Sequence, residues 1–391
     1  MSFLFTAHNV LAMVVAIPDG DSGLTIPVLR ALGIVQDLRV VVLSRSRWAS
    51  ARYSRLTTSV AAPFTPDAID PVAWMERWIG QSGADVVLPI GLAAVEFFSV
   101  HGIRGVGNAA VAPIPTIDAF RITSCKRAFA QWVRGTDVPV PPTLLGEEAL
   151  VPGAVEEQLG FPVLVKPRLG MGGAGIRLCR SRVELESILG SIHPPRECIV
   201  QRHFAGHDWG CNVLCNDGEI CAATVTRLLF GPSNPYGPGE GVEFVDQPEI
   251  LDLARNVMGR LRWTGVANLD LRWDPGSGRF MLLEINPRFW RNTALSALAS
   301  VNFPHLACLT AQGTTFPIPR QRPVRVAKFR EAIRRRLRAF ISREPHGYDL
   351  SEVPMVIADP LPMAAVAARW VARRMGLPSG ATEPDQFTLR L

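Results

Sequence analysis

GVANLDLRWDPGSGRFMLLEINPRFWRN, residues 265–292, reads as two apolar strands joined by the turn DPGSGR. Residues two apart on a strand share a face, so Glu284 and Asn286 point the same way. With the hairpin centred on Ser277, Asp270 falls opposite Glu284. Directly paired residues on one face have Cβ atoms about 4.5–5.5 Å apart. Two carboxylates and an amide at that spacing repel unless positive charge lies between them. Glu284 follows Phe280, Met281, Leu282 and Leu283, a run apolar on both faces and therefore buried. A buried carboxylate is seldom left unpaired. Hard oxygen ligands suit Mg²⁺, which takes one or two carboxylates plus substrate phosphates. A lone acid beside a hairpin is more often a solvated surface residue, but the buried strand argues against that here.

Upstream lies FPVLVKPRLGMGGAGIRL, residues 161–178. Lys166 ends one apolar run and Ile176 begins the next, with Gly170, Gly172, Gly173 and Gly175 between them. Glycines admit φ > 0 and close backbone approach. Successive exposed N–H groups make an anion-binding concavity, and a neighbouring lysine supplies a point charge for phosphate. The spacing fits neither GxxxxGK[ST] nor a GxGxxG that opens a helix. The loop joins two strands, so it would cover phosphates as a flap. By itself it is equally well a plain turn. Lys126, in TSCKRAFAQWVRGTDVPVPPT, sits near the start of a helix marked by Phe129, Trp132 and Val133 and ended by VPVPPT. On its own it is an ordinary solvated helical lysine.

Taken in order, the helical lysine, the lysine–glycine hairpin, CIVQRHFAGHDWGCNVL (198–214) and the Asp270–Glu284–Asn286–Arg288 set resemble the ATP-grasp superfamily. Within it the chain is most similar to carboxylate–amine ligases and the synthetase halves of carbamoyl-phosphate synthase. The resemblance covers residues 10–312, with its core at 119–312. It implies that Lys126 and Lys166 contact ATP phosphates under the flap Gly170–Gly175. It implies that the run Gln201, Arg202, His203, Phe204 is the adenine-holding hinge, bonding adenine through the peptide groups of Arg202 and Phe204. Asp208 matches a ribose contact. Asp270, Glu284 and Asn286 match the ligands of two Mg²⁺ ions, with Mn²⁺ an alternative. Arg288 and Arg291, together with Lys166, match the catalytic cations. Two positions depart from the family pattern: Cys125 stands where an Asp is common, and Gln201 or Arg202 replaces an acidic hinge residue.

The implied fold class is α/β and α+β. Residues 1–118, which alternate LAMVVAI, LTIPVLRALGI, LRVVVLS, a helix around Pro71–Gly80 and DVVLPI, read as an open parallel sheet. The loop Asp19–Gly23 lies where such sheets bind ligands; an ordinary turn fits equally. Residues 119–204 would be the small lobe and hinge, 205–312 the large lobe with the metal site, and 313–391 a basic helical extension. A length of 391 residues suits two or three domains, and 48% hydrophobic content suits large cores. The run Val10–Ile17 is too short to span a bilayer and lacks a signal-peptide pattern, so it reads as a first strand. Seven scattered cysteines without metal spacing read as buried free thiols of a reducing cytoplasm.

In the tail, AKFREAIRRRLRAFI reads as an amphipathic helix with Phe329, Ile333, Leu337 and Ile341 on one side. An arginine run serves nucleic acid or an acidic membrane surface, but is more commonly a solvated face. The net charge of +6 is modest, and no basic–aromatic alternation marks base stacking. The expectations are therefore no nucleic-acid partner, no membrane span, and scope for a homo-oligomer. The implied reaction activates a small-molecule carboxylate as an acyl phosphate and joins it to an amine, with an amino acid as a substrate. The rival readings are carboxylate phosphorylation as in carbamoyl-phosphate synthase and biotin carboxylase, and a non-catalytic nucleotide-binding regulator. The loop Gly231–Gly239 reads as flanking the acceptor site.

Overall fold

The computed structural model describes residues 12–375 apart from 45, 47–48, 62–69, 152, 232–235, 238 and 344. Most of the acceptor-loop reading therefore lies outside the described residues. The N-terminal sheet runs in the order Thr57–Ala61, Leu38–Leu43, Met13–Ile17, Val86–Val87, Ala109–Val111, Gly105–Val106. Its pairs are parallel except the last. Near-continuous aliphatic strands such as Leu38–Leu43 fit a sheet covered on both faces. Helices Thr25–Leu32, Pro71–Ser82 and Leu92–His101 supply that cover. The edge strand Thr57–Ala61 and the Gly105–Val111 hairpin add to the β-α-β-α-β reading. Asp19, after the first strand, accepts bonds from the Ile90 and Gly91 amides, which joins the two loops at the centre of the sheet.

A second, antiparallel sheet has the order Thr143–Leu145, Cys198–Arg202, Val163–Pro167, Arg177–Cys179. The third has seven strands: Arg279–Asn286, Gly265–Asp274, His207–Asn216, Glu219–Phe230, Gly241–Phe244, Val324–Ala327 and Leu350–Ser351. Helix Pro248–Leu261 packs Ile250, Ala254, Val257 and Met258 beneath it, against Val213, Leu269 and Leu282. Seven free cysteines are present, and all but Cys221 are buried. Burial pushes the Cys211 thiol up to about 12, so it is inert packing.

The segment after residue 312 is largely helical, yet its first element is a strand. Val324–Ala327 pairs antiparallel with Gly241–Phe244. The same segment grips the N-terminal layer. Glu352 makes a buried ion pair with Arg30 at 3.3 Å, and Asp359 accepts bonds from Ser54 and the Arg55 amide.

Candidate active site

The antiparallel register brings Asp270 opposite Glu284 and Asn268 opposite Asn286. It does so with a correction. The turn pairs Asp274 with Arg279, half a residue off the Ser277 centre, and a bulge at Leu283 restores the 270–284 pairing. The bulge also reverses the facing of the strand. Phe280 and Leu282 point into the core; with unbroken alternation Glu284 and Asn286 would follow them. After the bulge both are half-buried and face the same cleft as Asn268, Asp270 and Arg272. Leu283 itself lines that cleft beside Lys126, Phe129, Lys166 and Gln201.

A row of polar side chains backs the acids across four strands. Thr224 accepts from Asn212, Asn212 from Asn268, and Asn268 from Asn286, at 3.0–3.1 Å. The Asn286 amide also donates to Asp270 Oδ2 at 3.0 Å. Asn268 and Asn212 were not singled out from sequence. The available signal was Asn268 two residues before Asp270, hence on its face. Arg288 Nη2 donates to Asn286 Oδ1 at 3.0 Å, and its Nη1 donates to the Phe289 carbonyl at 2.9 Å. Arg291, three residues on, is exposed.

From a helix packed beside the second sheet, Lys126 reaches across the cleft. It opens helix Lys126–Val133, and its ammonium lies 3.1 Å from Glu284 Oε2 and donates to the Gly170 carbonyl. Cys125 precedes it as a helix cap without a side-chain bond. Lys166, on strand Val163–Pro167, is buried and donates to Gln201 Oε1 at 2.6 Å. Burial lowers its pKa to about 8, against the pull of Glu284. Gln201 in turn donates to Thr143 at 3.0 Å. The neutral Gln201 amide therefore orients Lys166 without neutralising it.

The two carboxylates titrate as a pair. Burial, then the Glu284 charge, pushes Asp270 well above the usual carboxylate range. Burial opposes the charge on Glu284 too, but Lys126 and Lys166 outweigh it and hold Glu284 below that range. Burial thus favours a proton on Asp270, which a bound cation would displace. Among the described residues no three His, Cys, Asp or Glu side chains converge. The donor set is thus two carboxylates and an amide, a fit for a hard cation that completes its shell with phosphate or water.

The glycine loop adopts positive φ at Gly170, Gly172, Gly173 and Gly175. A Cβ on Gly173 would lie 2.5 Å from the Tyr236 carbonyl oxygen of the opposite lobe, so only glycine fits there. Beyond Gln201, the Arg202 amide donates to the Pro142 carbonyl and the His203 amide to the Pro162 carbonyl. Both partners are prolines and return no N–H. The ladder therefore leaves the Arg202 and His203 carbonyls without strand donors. Within the Arg202 peptide, the N–H is thus committed and the carbonyl is the group left to accept. Asp208 is held by Arg272 at 2.6 Å, so a ribose would compete with that arginine.

Two family profiles match overlapping parts of the chain. One, described as the carbamoyl-phosphate synthase L chain ATP-binding domain, matches residues 125–202. The other, described as ATP-grasp in the biosynthetic pathway with Ter operon, matches residues 195–332. Similar solved structures include N5-carboxyaminoimidazole synthetase from Staphylococcus aureus complexed with ADP, at 15% identity and TM-score 0.61 over 80% of each chain. Biotin carboxylase from Campylobacter jejuni, in a complex with β,γ-ATP, matches at 15% identity and TM-score 0.58, over 77% of this chain and 72% of that one. The biotin carboxylase domain of 2-oxoglutarate carboxylase from Hydrogenobacter thermophilus, with MgADP and bicarbonate, matches at 14% and 0.60, over 79% and 72%. At such identities these likenesses speak to the fold.

Proposed function

The chain belongs to the ATP-grasp superfamily, and on that premise we propose that it is an ADP-forming ligase that joins a small carboxylic acid to an amine through an acyl phosphate. The observation that carries the reading is the meeting of Lys126 and Lys166 from one lobe with Asp270 and Glu284 from the other, 3.1 Å apart at Lys126 and Glu284. Opposed cations and carboxylates across a cleft suit a polyphosphate between them: the lysines take phosphate oxygens and the acids hold a metal. Bound Mg²⁺ would offset phosphate charge and act as a Lewis acid on the transferred group.

The protein's own groups supply position and charge. The Arg202 and His203 carbonyls can accept from the adenine amino group, and Leu283, Phe129 and Val140 supply apolar cover beside it. Lys126 exchanges Glu284 for phosphate. The Gly170–Gly175 flap, in contact with Tyr236, excludes water. The substrate carboxylate attacks the γ-phosphorus and ADP leaves; an amine then displaces phosphate from the acyl carbon. Arg288 stabilises charge on the transferred group.

Two expected results follow. With acid, ATP and hydroxylamine but no amine, a hydroxamate and ADP form together. Release of AMP and pyrophosphate would instead identify an adenylate. Screening amino acids singly and in pairs for ADP release reads out the substrates, and release with bicarbonate alone would move the reading to a carboxylase. Magnesium affinity, in turn, rises with pH. Burial and the Glu284 charge hold the Asp270 pKa above the usual range, so metal binding is expected to release protons at pH values below that raised pKa. The sign for metal-free stability is opposite: an Asp with a raised folded pKa contributes stability at low pH that is lost as pH rises through that pKa. Calorimetry in buffers of different ionisation enthalpy measures the release. Affinity that ignores pH would remove Asp270 from the ligand set.

A further inference from the structure

Helix Phe329–Ser342 is amphipathic, but it is docked the opposite way from the usual arrangement. Its buried positions are Glu331 and Ala332. Arg335 lies on the same inner side, with its guanidinium 3.5 Å from the Phe230 ring centroid. Glu331 accepts from Arg334 and Arg335 at 2.8 and 2.7 Å. The apolar stripe faces outward: Ile333 is 39% exposed, Leu337 61%, Phe340 87% and Ile341 81%. These positions follow the i, i+4, i+7, i+8 spacing of one helix face. Arg330, Arg334 and Arg338, spaced i, i+4, i+8, border one edge, and Arg336 borders the other. Between Phe329 and Arg343 the chain carries six arginines and one glutamate.

We infer that this outward face binds an anionic lipid surface, with the apolar stripe in the headgroup–acyl boundary and the bordering arginines on lipid phosphates. A stripe that is both apolar and rimmed by cations needs an occupant that is apolar beneath and negative above, and an acidic bilayer surface is both. A second copy in an isologous contact would bring like arginine rows together. A nucleic acid would satisfy the arginines and leave four apolar side chains against phosphate. Among the described residues no helix is long and apolar enough to cross a membrane, so the contact is peripheral.

The test uses the full chain and co-sedimentation with vesicles of phosphatidylcholine alone or mixed with phosphatidylglycerol, at low and high salt. Binding is expected to the mixed vesicles only, weakening with salt. Phe340→Ser with Ile341→Ser should lower partitioning at least about tenfold. Arg330→Gln with Arg338→Gln should lower it about fivefold per arginine and flatten the salt dependence. All four side chains are exposed and none is among the residues of the candidate site, so ADP release in solution and the melting temperature should match wild type. Failure of the wild type to bind the mixed vesicles overturns the inference, as does equal binding by the Phe340/Ile341 variant. A wild-type dimer that this variant converts to monomer would assign the stripe to a second copy, and equally overturns it.

Discussion

Glu284→Gln is expected to lower ADP formation by about three orders of magnitude or more while leaving the fold intact. The change removes a charge and almost no volume. Glu284 faces Lys126 at 3.1 Å and the buried Lys166, and in the proposed site it is the anionic ligand that the lysines hold ionised. A metal ligand that stabilises charge on a transferred phosphoryl group contributes several kcal/mol, at about 1.4 kcal/mol per tenfold in rate. The competing account makes Glu284 a counter-ion that keeps two lysines paired. The two accounts differ in what magnesium does. On the ligand account the variant loses magnesium binding in calorimetry and melts close to wild type. Ordinary ADP formation at ordinary magnesium would end the assignment. A variant that binds magnesium normally but melts far lower would make Glu284 a structural partner.

Arg288→Lys keeps the charge and loses the planar fork. In the structure the two Nη atoms serve different acceptors, Asn286 Oδ1 at 3.0 Å and the Phe289 carbonyl at 2.9 Å. The guanidinium is thus fixed beside Asn286, where its donors can follow charge as it moves onto the transferred group. Losing about 3–4 kcal/mol of such stabilisation lowers kcat by two to three orders of magnitude. ATP binding should change little, because Lys126 and Lys166 carry the ground-state contacts. Steady-state kinetics and a melting curve together decide it. A protein that melts much lower yet turns over normally when folded would mean that Arg288 serves the turn and not the reaction.

The chemistry was legible where local pattern sets it. Period-two facing and a hairpin near Ser277 predicted the pairing of Asp270 with Glu284, although the strand reaches that pairing only through the bulge at Leu283. The glycines between Lys166 and Ile176 marked a loop of positive φ, and Lys126, expected near the start of its helix, opens it. The hinge was legible as a position but not as chemistry. That its free acceptors are the Arg202 and His203 carbonyls depends on Pro142 and Pro162 lying opposite them, and strand pairing brings those residues from 60 and 41 positions away. The tail was legible only in part. Its helical periodicity was real, but periodicity says only that a helix has an apolar side, not which side the protein covers. The buried Glu331 and the Arg335–Phe230 contact turned that side outward.

The sequence by itself determined the residue types, the approximate strands and helices and the order of the parts, because these depend on interactions within a few positions along the chain. The tertiary structure alone decided that Glu284 and Asn286 face the cleft. The bulge at Leu283 reverses their side, and simple alternation would have buried them with Phe280 and Leu282. It alone decided the Thr224–Asn212–Asn268–Asn286 row and the approach of Lys126 to Glu284. Such contacts join residues up to 158 positions apart in the chain. Their geometry is set by how sheets pair and lobes dock, which no local preference encodes.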